Sequence, residues 1–205
     1  MNKLAIVFFL LPFAVAAQDA RPSAPENIGS WQLGCVTDRM TDRTACILRL
    51  RDWVERPSVG AGLALEVVDR GGRLVPAVTA RDLSLDSAAR GLLAVAGVAQ
   101  LRFDTNAVME LPCSLEGRNL ICTPRSADAA RAAQELTTAG RALVRMSGLG
   151  SNTTAATEPK ELRLAETPAA LERFRRAQPP GTAPAPAESG LDLRDLLGRM
   201  QQLIR

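Results

Sequence analysis

Four cysteines constrain this chain more than any other feature. Cys35 and Cys46 form one close pair in sequence and Cys113 and Cys122 a second. They follow an N-terminal segment with the marks of a secretory signal, in which Lys3 precedes an almost unbroken apolar run from Leu4 to Val15 that ends in small residues. Residues 1–17 are therefore expected to be a signal peptide, cleaved near Ala16 or Ala17. The apolar core is shorter than the ~20 residues a membrane-spanning helix needs, so a retained anchor is the weaker reading. Export places the cysteines in an oxidising compartment, where close pairs become disulfides.

The second pair specifies its own geometry. Folding Cys113 to Cys122 about a two-residue turn at Gly117-Arg118 sets Glu116 opposite Asn119, Leu115 opposite Leu120, and Cys113 opposite Cys122. Glycine at the first turn position suits a type II′ hairpin. Counting outward from the turn, the cysteines land on a non-hydrogen-bonded pair, where Cα atoms approach to ~4.5 Å, within disulfide range. Cys35 and Cys46 also face each other across a hairpin, but Val36 to Ala45 holds no Gly or Asn turn signal to fix the register. The local pairing is preferred, with the two crossed connectivities as alternatives. The spacings lack both the close ligand pairs of zinc modules and a C-x-x-C redox motif.

Composition removes most familiar active sites. The chain has no histidine and no tyrosine, and its only lysines are Lys3 and Lys160. Triads and dyads built on imidazole are excluded, as are His-rich catalytic zinc sites. A Ser/Lys dyad would need Lys160, which stands in the polar stretch Glu158-Pro159-Lys160-Glu161. Paired carboxylates are not recognisable by spacing alone. No catalytic residue, metal or cofactor is therefore assigned, and the chain is read as not an enzyme. The net charge is +3, falling to +2 when Lys3 leaves with the signal, and arginines are scattered. After the signal the aromatic residues are Trp31, Trp53, Phe103 and Phe174, too few for a nucleic-acid stacking platform.

The pattern along the body, residues 28–176, is mainly β. In Arg43 to Trp53, Cys46, Leu48 and Leu50 share one face while Arg43, Arg49 and Arg51 share the other, the period of a half-buried strand. Leu63 to Val68 and Leu74 to Thr79 flank the turn signal Asp69-Arg70-Gly71-Gly72. Leu92 to Phe103 continues as strand up to Asp104-Thr105-Asn106. Ser126 to Ala139 reads as a helix, with Ser126 and Gly140 as its caps. Arg141 to Met146 and Glu161 to Leu164 read as late strands, and Pro168 to Arg176 as a short helix or turn.

Several of these residues occur in the order seen in a known family. Trp31-Gln-Leu-Gly-Cys35 with Cys46, Leu101-Arg-Phe-Asp104, Leu111-Pro-Cys113 with Gly117 and Cys122, and then Leu136 to Met146 resemble the invasion-associated locus B family of exported bacterial proteins. The resemblance runs from about Ile28 to Phe174, with a more charged closing segment, Glu161 to Phe174, than the family's apolar one. It implies a β-sandwich-like domain, periplasmic or surface-associated, and supplies no catalytic residues.

Residues 177–189 are rich in Pro and Ala and read as an extended linker. In residues 190–205, Leu193, Leu196, Leu197, Met200, Leu203 and Ile204 recur at helical spacing, with Asp192, Arg194, Asp195, Arg199 and Gln201 off the stripe. A free helix this short is marginal in water, so the stripe needs cover. A groove in an envelope or membrane-protein partner is the first reading. Folding back onto the chain's own domain and lying on a membrane surface are the alternatives. The sequence thus reads as a periplasmic, non-enzymatic interaction or accessory module, with a ligand-binding domain or carboxylate-based envelope hydrolase as the alternative.

Overall fold

Strands that alternate buried and exposed residues, such as Ala45–Leu50, and fully buried runs at Leu63–Val67 and Leu74–Ala80 organise the domain. The computed structural model describes residues 24–57, 62–83, 97–147, 158–179 and 181. The expected signal peptide, most of the linker and the C-terminal helix (190–205) lie outside the described residues. Described strands are β1 (Glu26–Ile28), β2 (Trp31–Asp38), β3 (Arg43–Glu55), β4 (Leu63–Arg70), β5 (Arg73–Ala80), β6 (Val98–Phe103), β7 (Met109–Glu116), β8 (Asn119–Cys122), β9 (Arg141–Ser147) and β10 (Lys160–Arg163). Two helices, α1 (Ala129–Thr138) and α2 (Thr167–Ala177), complete the described elements. The fold is mainly β and sandwich-like.

All neighbouring strands are antiparallel, in the order β1-β2-β3-β4-β5-β8-β7-β6-β9-β10. The continuous ladder turns over at β7. Its first half, Met109 to Pro112, pairs with β6, while Cys113 to Glu116 pairs with β8. Pro112 marks the switch because it has no N–H to give a ladder. Its carbonyl accepts from Thr123 N–H, and Cys113 N–H turns to Gly97 O. The two halves then face each other across one core that includes Trp31, Leu48, Leu65, Leu101, Phe103, Leu120 and Val144.

The far ends of the ladder meet. β10 contacts β3, Ser30 N–H donates to Ala165 O at 3.2 Å, and Ala165 N–H donates to Ser30 Oγ at 3.1 Å. This closure runs through the β1–β2 turn, where Gly29 has φ +55°. A Cβ there would meet the Ala165 carbonyl and, at 2.7 Å, Glu166 Cβ, so only glycine fits the close approach. Helix α2 lies over the same end and packs on β1, β2 and β3. It buries Ala170, Leu171 and Phe174, and Thr167 Oγ1 accepts the buried Trp31 Nε1–H at 3.0 Å.

The hairpin predicted at Gly117-Arg118 has the expected register, Cys113 opposite Cys122 and Leu115 opposite Leu120. Of the two turn residues only Gly117 has positive φ (+60°), as a type II′ turn requires. The β4–β5 hairpin turns at Gly71-Gly72, both with positive φ. Elsewhere the boundaries differ from the sequence reading. Strand β6 begins at Val98, and residues 92–96 of the expected strand lie outside the described residues. Helix α1 starts after Asp128 rather than Ser126, because residues 126–128 form a turn that closes Asp128 N–H onto Arg125 O. Gly140 is not a left-handed cap. Ala139 ends α1 in an extended conformation, and Gly140 N–H is taken by Asp104 Oδ2 at 3.2 Å.

Candidate interaction surface

Both cysteine pairs are disulfides in the local connectivity, Cys35–Cys46 and Cys113–Cys122, and no described cysteine is free. Their Cα atoms are 4.0 and 3.8 Å apart, the close approach of non-hydrogen-bonded pairs. Two such bonds fit an exported protein in an oxidising compartment. No described helix is long and apolar enough to cross a membrane.

The β2–β3 hairpin, whose turn carried no Gly or Asn signal, is set by aspartates. Asp38 Oδ1 accepts Met40 N–H at 2.8 Å, and Asp42 adopts φ +53°. Asp tolerates both roles, the side-chain turn and the left-handed backbone. The hydrogen bond from Met40, followed by that from Thr41, holds the Asp38 carboxyl below its ordinary range.

The outward face of this hairpin carries the expected arginines, with Arg43 and Arg51 exposed, and adds an apolar patch between them. Gly34, Val36, Ala45 and Ile47 share that face. Val36 is 64% exposed, and Met40 in the turn is 92% exposed. Arg49 is half-buried: it lies over the Trp53 ring at 4.3 Å from the centroid and gives Nη2 to Gln32 Oε1 at 3.2 Å. Ala45 and Ile47 alternate with Cys46 and Leu48, so this apolar outer face was visible in the period of the sequence.

On the inner side of β2, a cavity of about 320 Å³ opens between the strand and α2. Leu33 and Cys35 form its floor, Arg173, Arg176 and Ala177 its helix wall, and Ala24 and Glu26 its third side. Arg173 is clamped to Glu26 by Nε and Nη2 at 3.1 and 2.7 Å. That clamp, chiefly through its hydrogen bonds, draws the Glu26 carboxyl below the ordinary glutamate range and raises Arg173. Arg176 gives Nε and Nη2 to the single oxygen Oε1 of Glu172 and is 65% exposed. The sequence marked Pro168 to Arg176 as a short helix or turn without placing it against β1. The cavity depends on contact between β1 and α2, some 147 residues apart, which no local pattern encodes.

Two further carboxylates, Glu66 and Glu116, are paired with arginines. Glu66, buried on β4, accepts from Arg81 Nε and Nη2, and Glu116 pairs with Arg70. Among the described residues no group of three or more His, Cys, Asp or Glu side chains converges to hold a metal.

The expected partner-binding residues Leu193, Leu196, Leu197, Met200, Leu203 and Ile204 lie outside the described residues. Their point of departure is described. Gln178 is buried, and its Oε1 accepts Cys46 N–H at 2.7 Å. Gly181 N–H donates to Asp69 Oδ2 at 2.5 Å beside the β4–β5 turn. The chain is therefore held to the domain for several residues beyond α2. Comparison with family models, curated proteins and solved structures gives no match to this chain.

Proposed function

We propose that the chain is a periplasmic, non-enzymatic interaction module of the invasion-associated locus B type, which engages an envelope or membrane-protein partner through its C-terminal amphipathic segment. The anchoring of Gln178 and Gly181 carries the reading. It gives the linker a defined origin on a domain closed by two disulfides, so the apolar stripe from Leu193 to Ile204 is presented from a fixed point. The absence of histidine from the sequence and the pairing of Glu26, Glu66 and Glu116 with arginines support a binding role over a catalytic one.

A ligand-binding domain is the second reading, favoured by the cavity over Leu33 and Cys35. A carboxylate-based hydrolase fits that cavity less well, since its one carboxylate, Glu26, is already given to Arg173. Removing Leu191 to Arg205 and repeating affinity capture from solubilised envelopes tests the first reading. Loss of a partner held by the full chain is expected; unchanged recovery overturns it.

A further inference from the structure

Strand parity gathers onto one face arginines that the sequence disperses. In the neighbouring strands β6, β9 and β10, the inward positions Ala99, Leu101, Phe103, Val144, Met146 and Leu162 are buried in the core. The alternate positions face outward, and they carry Arg102 on β6, Arg141 and Arg145 on β9, and Arg163 on β10. The registers set Arg102 beside Leu143, Leu143 beside Glu161, and Arg141 beside Arg163, so these side chains share one surface. With strands ~4.8 Å apart and a rise of ~3.4 Å per residue, the arginines occupy an area of roughly 10 by 14 Å.

The charge of this surface is not cancelled from within. Arg145 gives Nε and Nη2 to the neutral Gln100 Oε1 at 3.0 and 2.5 Å, and Arg102 Nε donates to Asn106 O at 3.1 Å. Arg163 is exposed and pairs with no side chain among the described residues. Arg141 meets the carboxylate of Glu161 at 3.6 Å, and both side chains are exposed to solvent. Two further carboxylates border the face: Glu110 lies 3.4 Å from Arg125, and Asp104 accepts the backbone N–H groups of Gly140 and Arg141. With these included, arginines still outnumber acids on this side of the sheet. The Debye length in physiological salt is ~8 Å, so the arginines act together on an approaching anion.

The face has no apolar centre to offer a folded protein. Leu143, the aliphatic side chain among the arginines, is half-buried, whereas the core of a protein interface is apolar and depleted of charge. A layer of phosphates needs no such centre, and guanidinium groups bind phosphate through paired N–H donors. We propose that the outward face of β6, β9 and β10 is a contact surface for an anionic lipid bilayer, with Arg102, Arg141, Arg145 and Arg163 binding headgroup phosphates. The contact is separate from the C-terminal segment and needs no partner protein.

The test is co-sedimentation of the mature full chain with vesicles, either of phosphatidylglycerol and phosphatidylcholine in equal parts or of phosphatidylcholine alone. Binding to the anionic vesicles only, falling as salt rises, is expected. An arginine near an anionic surface is worth about fivefold in partitioning, so the charge reversal Arg163→Glu should lose more than that. Arg163→Glu breaks no described side-chain contact, and an unchanged circular dichroism spectrum checks that the fold is kept. Arg145→Lys with Arg163→Lys should retain most of the binding, whereas Arg145→Glu with Arg163→Glu should remove it. Equal binding to the neutral vesicles, or undiminished binding of the double Glu variant, overturns the proposal. So does tighter binding to soluble poly-glutamate than to vesicles at equal concentrations of anionic groups, which would favour an acidic protein. A chain lacking Leu191 to Arg205 should bind as the full chain does, and loss of binding there would overturn the proposal in favour of the C-terminal segment. Capture of a partner protein is not read in this assay, so this proposal and the C-terminal docking reading fail separately.

Discussion

At the scale of single residues, the first and last described elements are joined through a few side chains near the β1–β2 turn. Trp31 is fully buried, and its indole N–H reaches Thr167 at the start of α2. Replacing Trp31 with Phe leaves a void and strips the buried Thr167 hydroxyl of its donor, at a cost of about 2 to 3 kcal/mol. Chemical denaturation of Trp31→Phe, Thr167→Val and the double variant should show the double costing less than the sum, because one hydrogen bond is counted in both singles. Strict additivity would mean that the bond does not hold the helix. The Glu26–Arg173 pair gives the same junction a pH dependence. Its folded carboxyl is depressed, so the pair's stabilisation is fully present above the ordinary glutamate range, near pH ~4.3, and is lost as pH falls through the lower folded value. Titrating the Glu26 carboxyl by NMR should show its midpoint rising in Arg173→Gln. An unchanged midpoint would show that Arg173 is not the cause.

Among elements, hairpins are where sequence and structure agree most closely. Cys113 to Cys122 was legible in full because one glycine at the first turn position fixes turn type, register and disulfide together. The Cys35–Cys46 pairing was legible but its register was not, because Asp38 and Asp42 do the work that Gly or Asn does elsewhere. The α1 caps were misplaced because Ser126 belongs to a preceding turn and Gly140 answers to Asp104 on a distant loop. The two staples also differ in their surroundings. In each staple one cysteine, Cys35 or Cys113, is half-buried, but the other is fully buried only in the second, Cys122 at 0% exposure against 9% for Cys46. Graded reductant followed by alkylation and mass spectrometry should therefore label Cys35 and Cys46 before Cys113 and Cys122. Once reduced, each loop should lose about 2 to 3 kcal/mol in the chain-entropy account, read as a fall in the denaturation midpoint. Simultaneous labelling of all four would instead indicate reduction through global unfolding.

For the whole molecule, the mainly β class was legible from strand period, while the closure of the ladder was not. The turning point at Pro112 and the meeting of β10 with β3 join residues far apart in sequence, and no local pattern carries such pairings. The cavity beside α2 follows from that closure, which is why Glu26, Arg173 and Arg176 escaped notice in the sequence. The C-terminal stripe is the reverse case, plain in the sequence but outside the described residues, which reach Gly181. On the proposed function, this stripe meets another protein and not its own domain. A photo-reactive amino acid placed at Leu196 and irradiated in intact cells tests that most directly. Adducts heavier than the chain, abolished by Leu193→Asp with Leu197→Asp, are predicted; cross-links confined to the chain's own residues 24–181 would contradict the account.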